Sequence, residues 1–257
     1  MAKDKDSQLA RITSVIHEIL LPLQALFITA ENLREETYQE NIDIEFVRAS
    51  SRGIIDEVRK LEMVLTTFRR ALQASSEVEN PRLNYSTASI LPLISQAASL
   101  FEKEAAAKGI IVEKPTCQLH PVPELLMVTE DMASVFINLY SNAVKYSYSG
   151  SAASERYIRT ECLRAFMDDY AYLVIKVSNF GVGILREEIE NELIFQPGYR
   201  GKLSLDRNRT GSGTGLYVVR EIVEREHNGK VEVESVKKNG GYLTTVTIML
   251  PLQRGQS

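Results

Sequence analysis

The chain has 257 residues, of which 44% are hydrophobic and 25% charged, a composition typical of a soluble globular protein with room for two modest domains or one large one. Its formal net charge of −4 argues against a nucleic-acid-binding protein, which would carry a basic stripe. Two cysteines without CxxC spacing and only three histidines argue against a zinc site or a histidine-rich metal site.

No apolar run approaches the roughly 20 residues that span a bilayer, so we predict no membrane contact from this chain itself. The N-terminal run MAKDKDSQ is polar and is not typical of a signal peptide. We therefore expect a cytoplasmic chain, which is either a soluble protein or the cytoplasmic part of a longer one.

Residues 1–75 contain one glycine and one proline, and their apolar residues recur at steps of three or four, which predicts helices. The polar stretch Arg34–Asn41 separates two such stripes and predicts a loop. Residues 1–75 are therefore interpreted as an antiparallel helical hairpin. The first stripe consists of Leu9, Ile12, Ile16, Ile19, Leu23, Leu26, Ala30 and Leu33, and the second of Ile44, Val47, Ile54, Val58, Leu61, Leu65, Phe68 and Leu72.

A single helical hairpin has little core of its own. Its apolar faces can be covered by a second copy in a dimeric four-helix bundle, or by the rest of the same chain. We favour the homodimer.

Residues 76–89 are polar and contain a proline, and we interpret them as a linker that runs into a first strand. Helical and strand patterns then alternate over residues 90–254, which predicts an α+β sandwich with helices on one face of a mixed sheet. The predicted helices are Ile90–Lys108, Thr129–Lys145 and Gly215–Glu226; the predicted strands are Ile110–Val112, Arg156–Arg164, Ala171–Ser178, Lys230–Glu234 and Tyr242–Leu250, with loops at Phe166–Tyr170 and Asn239–Gly241.

Two glycine clusters interrupt these patterns. Gly181-Val182-Gly183 follows an apolar strand, and the run GSGTG at residues 211–215 directly precedes a helix. Glycines allow the backbone to approach a phosphate, and a helix N-terminus offers free N–H groups, although turns need glycine as well. Neither cluster is a P-loop or a Rossmann fingerprint.

The predicted helix over residues 129–145 carries an unusual polar face. Asn138, Asn142 and Lys145 step by four and three and therefore share one side of the helix. Amide oxygens suit Mg²⁺, and an ammonium suits phosphate oxygens. The alternative interpretation is a solvated polar stripe.

The runs NLYSNAVKYS, SNFGVGI, IFQPGYRG and GSGTGLYVVREIV, in this order, resemble the four ATP-site boxes of histidine kinases, which belong to the GHKL-type ATPases. The resemblance covers roughly residues 84–250. In the hairpin, the run HEILLPL that begins at His17 resembles the phosphoacceptor box of the dimerisation domain. Together they resemble the catalytic core of a sensor histidine kinase of a two-component system.

This resemblance implies ATP and Mg²⁺ as cofactors and an autophosphorylated histidine. His17 would be the nucleophile, because a neutral imidazole has a free ring-nitrogen lone pair, and Glu18 would take or orient the proton on the other nitrogen. Pro22 would kink the helix beyond them. The phosphoryl group would then pass to an aspartate in the receiver domain of a response regulator.

The resemblance also implies nucleotide-binding roles. Asn142 would coordinate Mg²⁺ with Asn138 in support, Arg200 would reach the γ-phosphate, and Asn179 would meet the adenine amino group. The remaining implied nucleotide-binding residues are Lys145, Tyr146, Gly181, Gly183, Ile184, Gly211, Gly213, Gly215 and Leu216.

Asn179 departs from the family, which usually has aspartate at this position. Asparagine retains an acceptor oxygen, loses the charge and gains donors, so one charge-assisted hydrogen bond becomes neutral at a cost of about 1 kcal/mol. We expect weaker or less adenine-selective binding. Asn179 also keeps open the alternative of a catalytically weakened, nucleotide-binding dimeric scaffold, or pseudokinase.

Two enzymes with the same ATP fold are further alternatives. An ATP-driven clamp would need a transducer domain after the ATP domain, and the sequence ends at Ser257. A serine kinase of this fold would lack the HExxxP hairpin.

Leu21 lies four residues after His17, where many kinases that also dephosphorylate their regulator have Thr or Asn. Because leucine cannot position a water molecule, we predict weak or absent phosphatase activity. The measurement is the rate at which the chain removes phosphate from a purified phospho-regulator, and robust removal would contradict the prediction.

Overall fold

The computed structural model describes residues 2–39, 42–51, 53–54, 57–58, 61, 65, 84–148, 156–167, 170–205, 213–238 and 240–252. They fall into two compact units, one up to residue 65 and the other from residue 84 onward. Within these ranges, no helix combines the length and the apolar character needed to cross a membrane.

The first unit is helical. Helix α1 spans Ala2–Glu36 and runs through Pro22. Helix α2 covers residues 44–51, and the described positions 53–54, 57–58, 61 and 65 are helical as well. Asp43 caps α2, since its Oδ1 accepts hydrogen bonds from the N–H groups of Glu45 and Phe46 at 2.9 and 3.1 Å.

The predicted loop at Arg34–Asn41 begins too early, because α1 continues to Glu36. The backbone N–H of Thr37 still donates to the carbonyl of Leu33 at 3.3 Å, which extends the last turn. An ion pair of 2.7 Å between Arg34 and Glu31 lies on the same turn. Polarity alone indicated a loop where local hydrogen bonds maintain a helix.

Apolar side chains of α1 are exposed in the single chain. Ile16 is 50% exposed and Leu23 44% exposed, and both belong to the predicted stripe. Phe27 is 67% exposed and Ile28 58% exposed, and these lie outside that stripe. The exposed apolar surface of α1 is therefore wider than the single stripe that the sequence predicts.

The second unit is an α+β fold, as predicted. A six-stranded mixed sheet has the order β2-β5-β6-β8-β7, with β3 also paired to β5, and β1 and β4 form a separate antiparallel pair. The strands are β1 Ser86–Ser89, β2 Ile111–Val112, β3 Thr116–Cys117, β4 Glu124–Met127, β5 Tyr157–Met167, β6 Tyr170–Gly181, β7 Lys230–Lys238 and β8 Gly241–Pro251. The helices are α3 Leu91–Ala107, α4 Thr129–Tyr146, α5 Arg186–Glu190, α6 Lys202–Leu205 and α7 Gly215–Arg220, with a 3₁₀ turn at Leu193–Phe195 and a π-helix at Glu221–Glu226.

Strand β5 shows how one face of the sheet meets the helices. Its side chains alternate, with Ile158 and Cys162 buried and Arg159 and Glu161 exposed. The buried residues join one apolar core with α3, α4 and α7, including Phe136 at 0% exposure. The sheet therefore has a helix-covered face and a polar face.

The structure corrects the prediction at three further places. The predicted loop Phe166–Tyr170 is too long, because the β5–β6 ladder continues to the pair Met167↔Tyr170. The predicted helix Gly215–Glu226 is α-helical only to Arg220 and then becomes a π-helix. Strands β3 and β4 were missed, although the apolar residues at 125–128 were a signal for β4.

A buried pair of hydroxyl groups joins α4 to the sheet. The hydroxyl of Tyr140, at 0% exposure, lies 2.7 Å from Oγ1 of Thr160 on β5, at 1% exposure. Burial raises the pKa of Tyr140 to about 12, so its phenol stays neutral. Each hydroxyl therefore depends on the other for a hydrogen bond.

We predict that Thr160→Val lowers the free energy of unfolding by roughly 1–3 kcal/mol, because it leaves the Tyr140 hydroxyl buried without this partner. The double variant Tyr140→Phe/Thr160→Val should recover most of that loss, since both polar groups are then removed. Urea unfolding of the three proteins measures this, with Thr160→Ser as the matched control. Equal stability of wild type and Thr160→Val would contradict the prediction.

Candidate functional site

The polar face of α4 is partly buried. Asn138 is only 6% exposed, and its Nδ2 donates to the carbonyl of Ser134 at 2.9 Å. Asn142, Lys145 and Tyr146 are half-buried. A solvated stripe would leave these groups in water, so that alternative does not hold for Asn138.

Gly215, the first residue of α7, lies directly against this face. A Cβ atom placed on Gly215 would lie 3.1 Å from Oδ1 of Asn138 and 3.3 Å from Nδ2 of Asn142. The absence of a side chain at Gly215 allows α7 to start beside the two amides. The second predicted glycine cluster and the predicted polar face therefore meet.

The end of β6 packs on the end of α4. The N–H of Val182 donates to the carbonyl of Tyr146 at 3.0 Å. A Cβ on Gly181 would lie 2.0 Å from that same carbonyl oxygen, a distance at which atoms overlap. Gly181 is therefore required for this close approach, which brings the first glycine cluster to the α4 face.

Asn179 precedes this contact on β6. Its Nδ2 donates to Oγ of Ser147 at 3.2 Å, and Oγ of Ser147 donates to the carbonyl of Ala143 at 2.6 Å. Asn179 thus belongs to the same cluster, connected to the end of α4 through a serine that the sequence analysis did not single out.

The chain then leaves β6 along the neighbouring strands. Gly183 lies against the ring of Tyr242, and the N–H of Ile184 donates to Oγ of Ser235 at 3.0 Å. These contacts with β7 and β8 fix the direction in which the following segment leaves the sheet.

The segment after β6 is held in place by hydrogen bonds to one buried glutamate. Glu188 of α5 is 0% exposed and accepts hydrogen bonds from the N–H of Leu185 at 3.0 Å, the N–H of Lys202 at 2.8 Å and the hydroxyl of Tyr199 at 2.8 Å. Desolvation and this bond to Glu188 raise the pKa of Tyr199 to about 12, so the phenol remains a donor. In the sequence, Arg200 lies between Tyr199 and Lys202, which both donate a hydrogen bond to Glu188.

The same segment is tied to the start of α7. The N–H of Gly198 donates to the carbonyl of Gly213 at 3.0 Å. Arg220 of α7 pairs with Glu192 at 3.1 Å, and its guanidinium lies 4.9 Å from the ring centre of Phe195. Leu216 packs on the core beneath.

The structure therefore brings the predicted residues of α4, β6 and α7 into one region. The side chains of His17 and Glu18 and the whole of Gly211 lie outside the described residues, and α1 passes through positions 17 and 18. No role was predicted from the sequence for Ser147 or Glu188. The available signals were a serine at the end of the NLYSNAVKYS run and a glutamate three residues after Leu185.

The chemistry of the site suits a phosphorylated ligand. It offers amide oxygens, which are hard ligands for Mg²⁺, together with the ammonium of Lys145 on the same helix, while Arg200 lies on the segment that is tied to the start of α7. Mg²⁺ commonly takes one or two protein ligands and completes its shell with substrate phosphates and water, so the amide of Asn142 fits it. Within the described ranges, no cluster of three or more His, Cys, Asp or Glu residues could hold a metal ion.

Residues 127–254 match the family model of histidine kinase-, DNA gyrase B-, and HSP90-like ATPases. The chain is 26% identical over 248 residues to the sensor protein kinase WalK of Staphylococcus aureus, an alignment that covers 94% of this chain and 53% of that protein. WalK from other strains of this species matches equally well, and there the alignment covers 36% of the protein. The chain thus spans about a third to a half of these relatives.

Two solved structures share the fold. The catalytic domain of the histidine kinase ThkA has a TM-score of 0.52 and 22% identity, covering 66% of this chain and 96% of that one. Full-length ShkA in complex with AMPPNP has a TM-score of 0.54 and 19% identity, covering 96% of this chain and 45% of that one.

We predict that Glu188→Ala lowers the free energy of unfolding by more than about 2 kcal/mol, because three partly buried donors lose their shared acceptor. Hydrogen exchange of the Lys202 amide should also become faster. Glu190→Ala is the matched control: Glu190 is 59% exposed in an ion pair with Arg186, so its loss should cost no more than about 0.5 kcal/mol. Unchanged exchange and unfolding in Glu188→Ala would contradict the prediction.

Proposed function

We propose that the chain is a sensor histidine kinase, in keeping with the ATPase family model that residues 127–254 match, and that it uses Mg-ATP to phosphorylate its own His17. The phosphoryl group then passes to an aspartate of a response regulator. The observation that carries the proposal is the convergence of α4, the end of β6 and the start of α7.

That convergence supports the proposal because it is built from close contacts. Gly215 lies beside Asn138 and Asn142, and Gly181 lies against the carbonyl of Tyr146. Residues 35 or more positions apart in the sequence are thereby brought together at the polar face of α4. Glycines that served only to form turns would not need to lie beside these asparagines.

The nucleotide assignments are part of the proposal. Asn142 holds Mg²⁺ with Asn138 packed one turn away, and Lys145 and Tyr146 meet the phosphates and the nucleotide. Asn179, Gly181, Gly183 and Ile184 lie along the base. Arg200, held between the Glu188 contacts, reaches the γ-phosphate, while Gly211, Gly213, Gly215 and Leu216 shape the phosphate side.

The proposed step is an in-line displacement. A ring nitrogen of His17 forms a bond to the γ-phosphorus as the bond between that phosphorus and the bridging oxygen breaks, and ADP leaves. Glu18 holds or takes the proton of the other ring nitrogen. Bound Mg²⁺ supplies charge neutralisation, and positioning of the reactants provides most of the remaining catalysis.

We further propose the homodimer and the domain division. Residues 1–75 form the dimerisation and phosphoacceptor hairpin, residues 76–89 the linker, whose last residues form β1, and residues 90–254 the rest of the ATP-binding domain. The exposure of Phe27, Ile28 and Leu21 supports a partner for α1, because contiguous apolar surface is costly in water. A second copy in a four-helix bundle would cover it, and the receiver domain would dock near His17.

We predict that incubation with γ-labelled ATP and Mg²⁺ labels the wild-type chain with phosphate that is acid-labile and alkali-stable. His17→Gln should abolish the label, and His120→Gln is the matched control because His120 is an exposed histidine in the other unit. Labelling should remain in that control. Intact ATP binding without label in wild type would contradict the kinase and support the scaffold alternative.

A further inference from the structure

Ser147 connects the end of α4 to Asn179 and is itself held from several sides. It is 3% exposed, its backbone N–H donates to the carbonyl of Ala143 at 3.1 Å, and it forms an antiparallel bridge with Gly181. Asn179 is equally constrained in its backbone, since it is paired with Ile158 on β5 and Thr244 on β8. The side-chain amide of Asn179 is the part that contacts Ser147.

The hydrogen bonds of Ser147 determine whether the nitrogen or the oxygen of the Asn179 amide faces its Oγ. A serine hydroxyl has one proton, and here Oγ donates it to the carbonyl of Ala143 at 2.6 Å. Towards Asn179, Oγ can therefore only accept. The amide nitrogen is the donor of Asn179, and it lies 3.2 Å from Oγ of Ser147.

The orientation of the amide oxygen follows from its covalent geometry. The nitrogen and the oxygen of a carboxamide point in different directions from the same planar carbon. With the nitrogen engaged by Ser147, the oxygen faces away from Ser147 as a hydrogen-bond acceptor. Rotating the amide by half a turn would place two acceptors against each other.

We propose that Ser147 is a specificity-determining residue that holds the Asn179 amide with its oxygen towards the nucleobase and so selects adenine over guanine. The inference rests on the proposed binding of ATP at this site. Ser147 positions Asn179 and need not touch the nucleotide itself.

The chemistry of the two bases explains the selection. Adenine presents an amino group, a donor, where guanine presents a carbonyl, an acceptor. A freely rotating asparagine could satisfy either base, because it has one donor edge and one acceptor edge. A site built to accept a hydrogen bond rejects a ligand that lacks the donor, because its buried polar group is left unpaired. A carboxylate discriminates between adenine and guanine because it has no donor. By keeping the donor nitrogen of Asn179 away from the base, Ser147 gives the asparagine the same selectivity.

The test compares the dissociation constants of Mg-ATP and Mg-GTP for the purified chain. Wild type should prefer ATP. Ser147→Ala should lower the ATP-over-GTP preference by at least about fivefold, the equivalent of one neutral hydrogen bond, with no loss of thermal stability beyond a few degrees. In the Asn179→Asp background, Ser147→Ala should leave the preference unchanged, because a carboxylate has no donor edge to misplace.

The outcomes separate the inference from the proposed function. A wild-type preference that persists in a folded Ser147→Ala protein would overturn the inference and leave ATP binding standing. Wild type that binds neither nucleotide would overturn both. In wild type, a nuclear Overhauser contact between the Asn179 Nδ2 protons and the Ser147 β-protons is expected, and its absence overturns the inference even if Ser147→Ala does not fold.

Discussion

The carbonyl oxygen of Tyr146 accepts a hydrogen bond from the N–H of Val182, while Gly181 passes so close to it that a Cβ would lie 2.0 Å away. This contact joins the C-terminal end of α4 to the end of β6. Because both elements are anchored in one core, the contact fixes where their polar residues lie. The polar face of α4, the amide of Asn179 and the start of the segment after β6 all depend on it.

A second constraint acts on the segment that connects β6 to α7. Short helices and turns have little core of their own, so their positions depend on specific polar contacts. Glu188 supplies these contacts with a fully buried carboxylate that accepts from the hydroxyl of Tyr199 before Arg200 and from the backbone N–H of Lys202 after it. The bond from Gly198 to Gly213 then ties the segment to the glycines before α7. These contacts join the three elements that carry the proposed ligands.

Patterning predicted the larger elements well and the connections poorly. Helix α4 and the paired strands β7 and β8 follow strong apolar periodicity, and their approximate positions were predicted from it. The π-helical turn at Glu221–Glu226 was not predicted. At its end, Nδ1 of His227 lies 2.8 Å from the carbonyl of Ile222, and Nε2 accepts from the N–H of Val128 on a distant part of the chain. Such a contact has no local signature, because its partner is about a hundred residues away.

Local periodicity and side-chain chemistry were sufficient to predict the α+β class, the order of the boxes and the residue types at the proposed site. The sequence also showed that asparagine replaces aspartate at position 179. The contact between Ser147 and that asparagine, and the hydrogen bonds from Glu188 to the segment around Arg200, became visible in the folded chain alone. The physical reason is that the orientation of an amide and the burial of a carboxylate depend on neighbours that folding alone brings together.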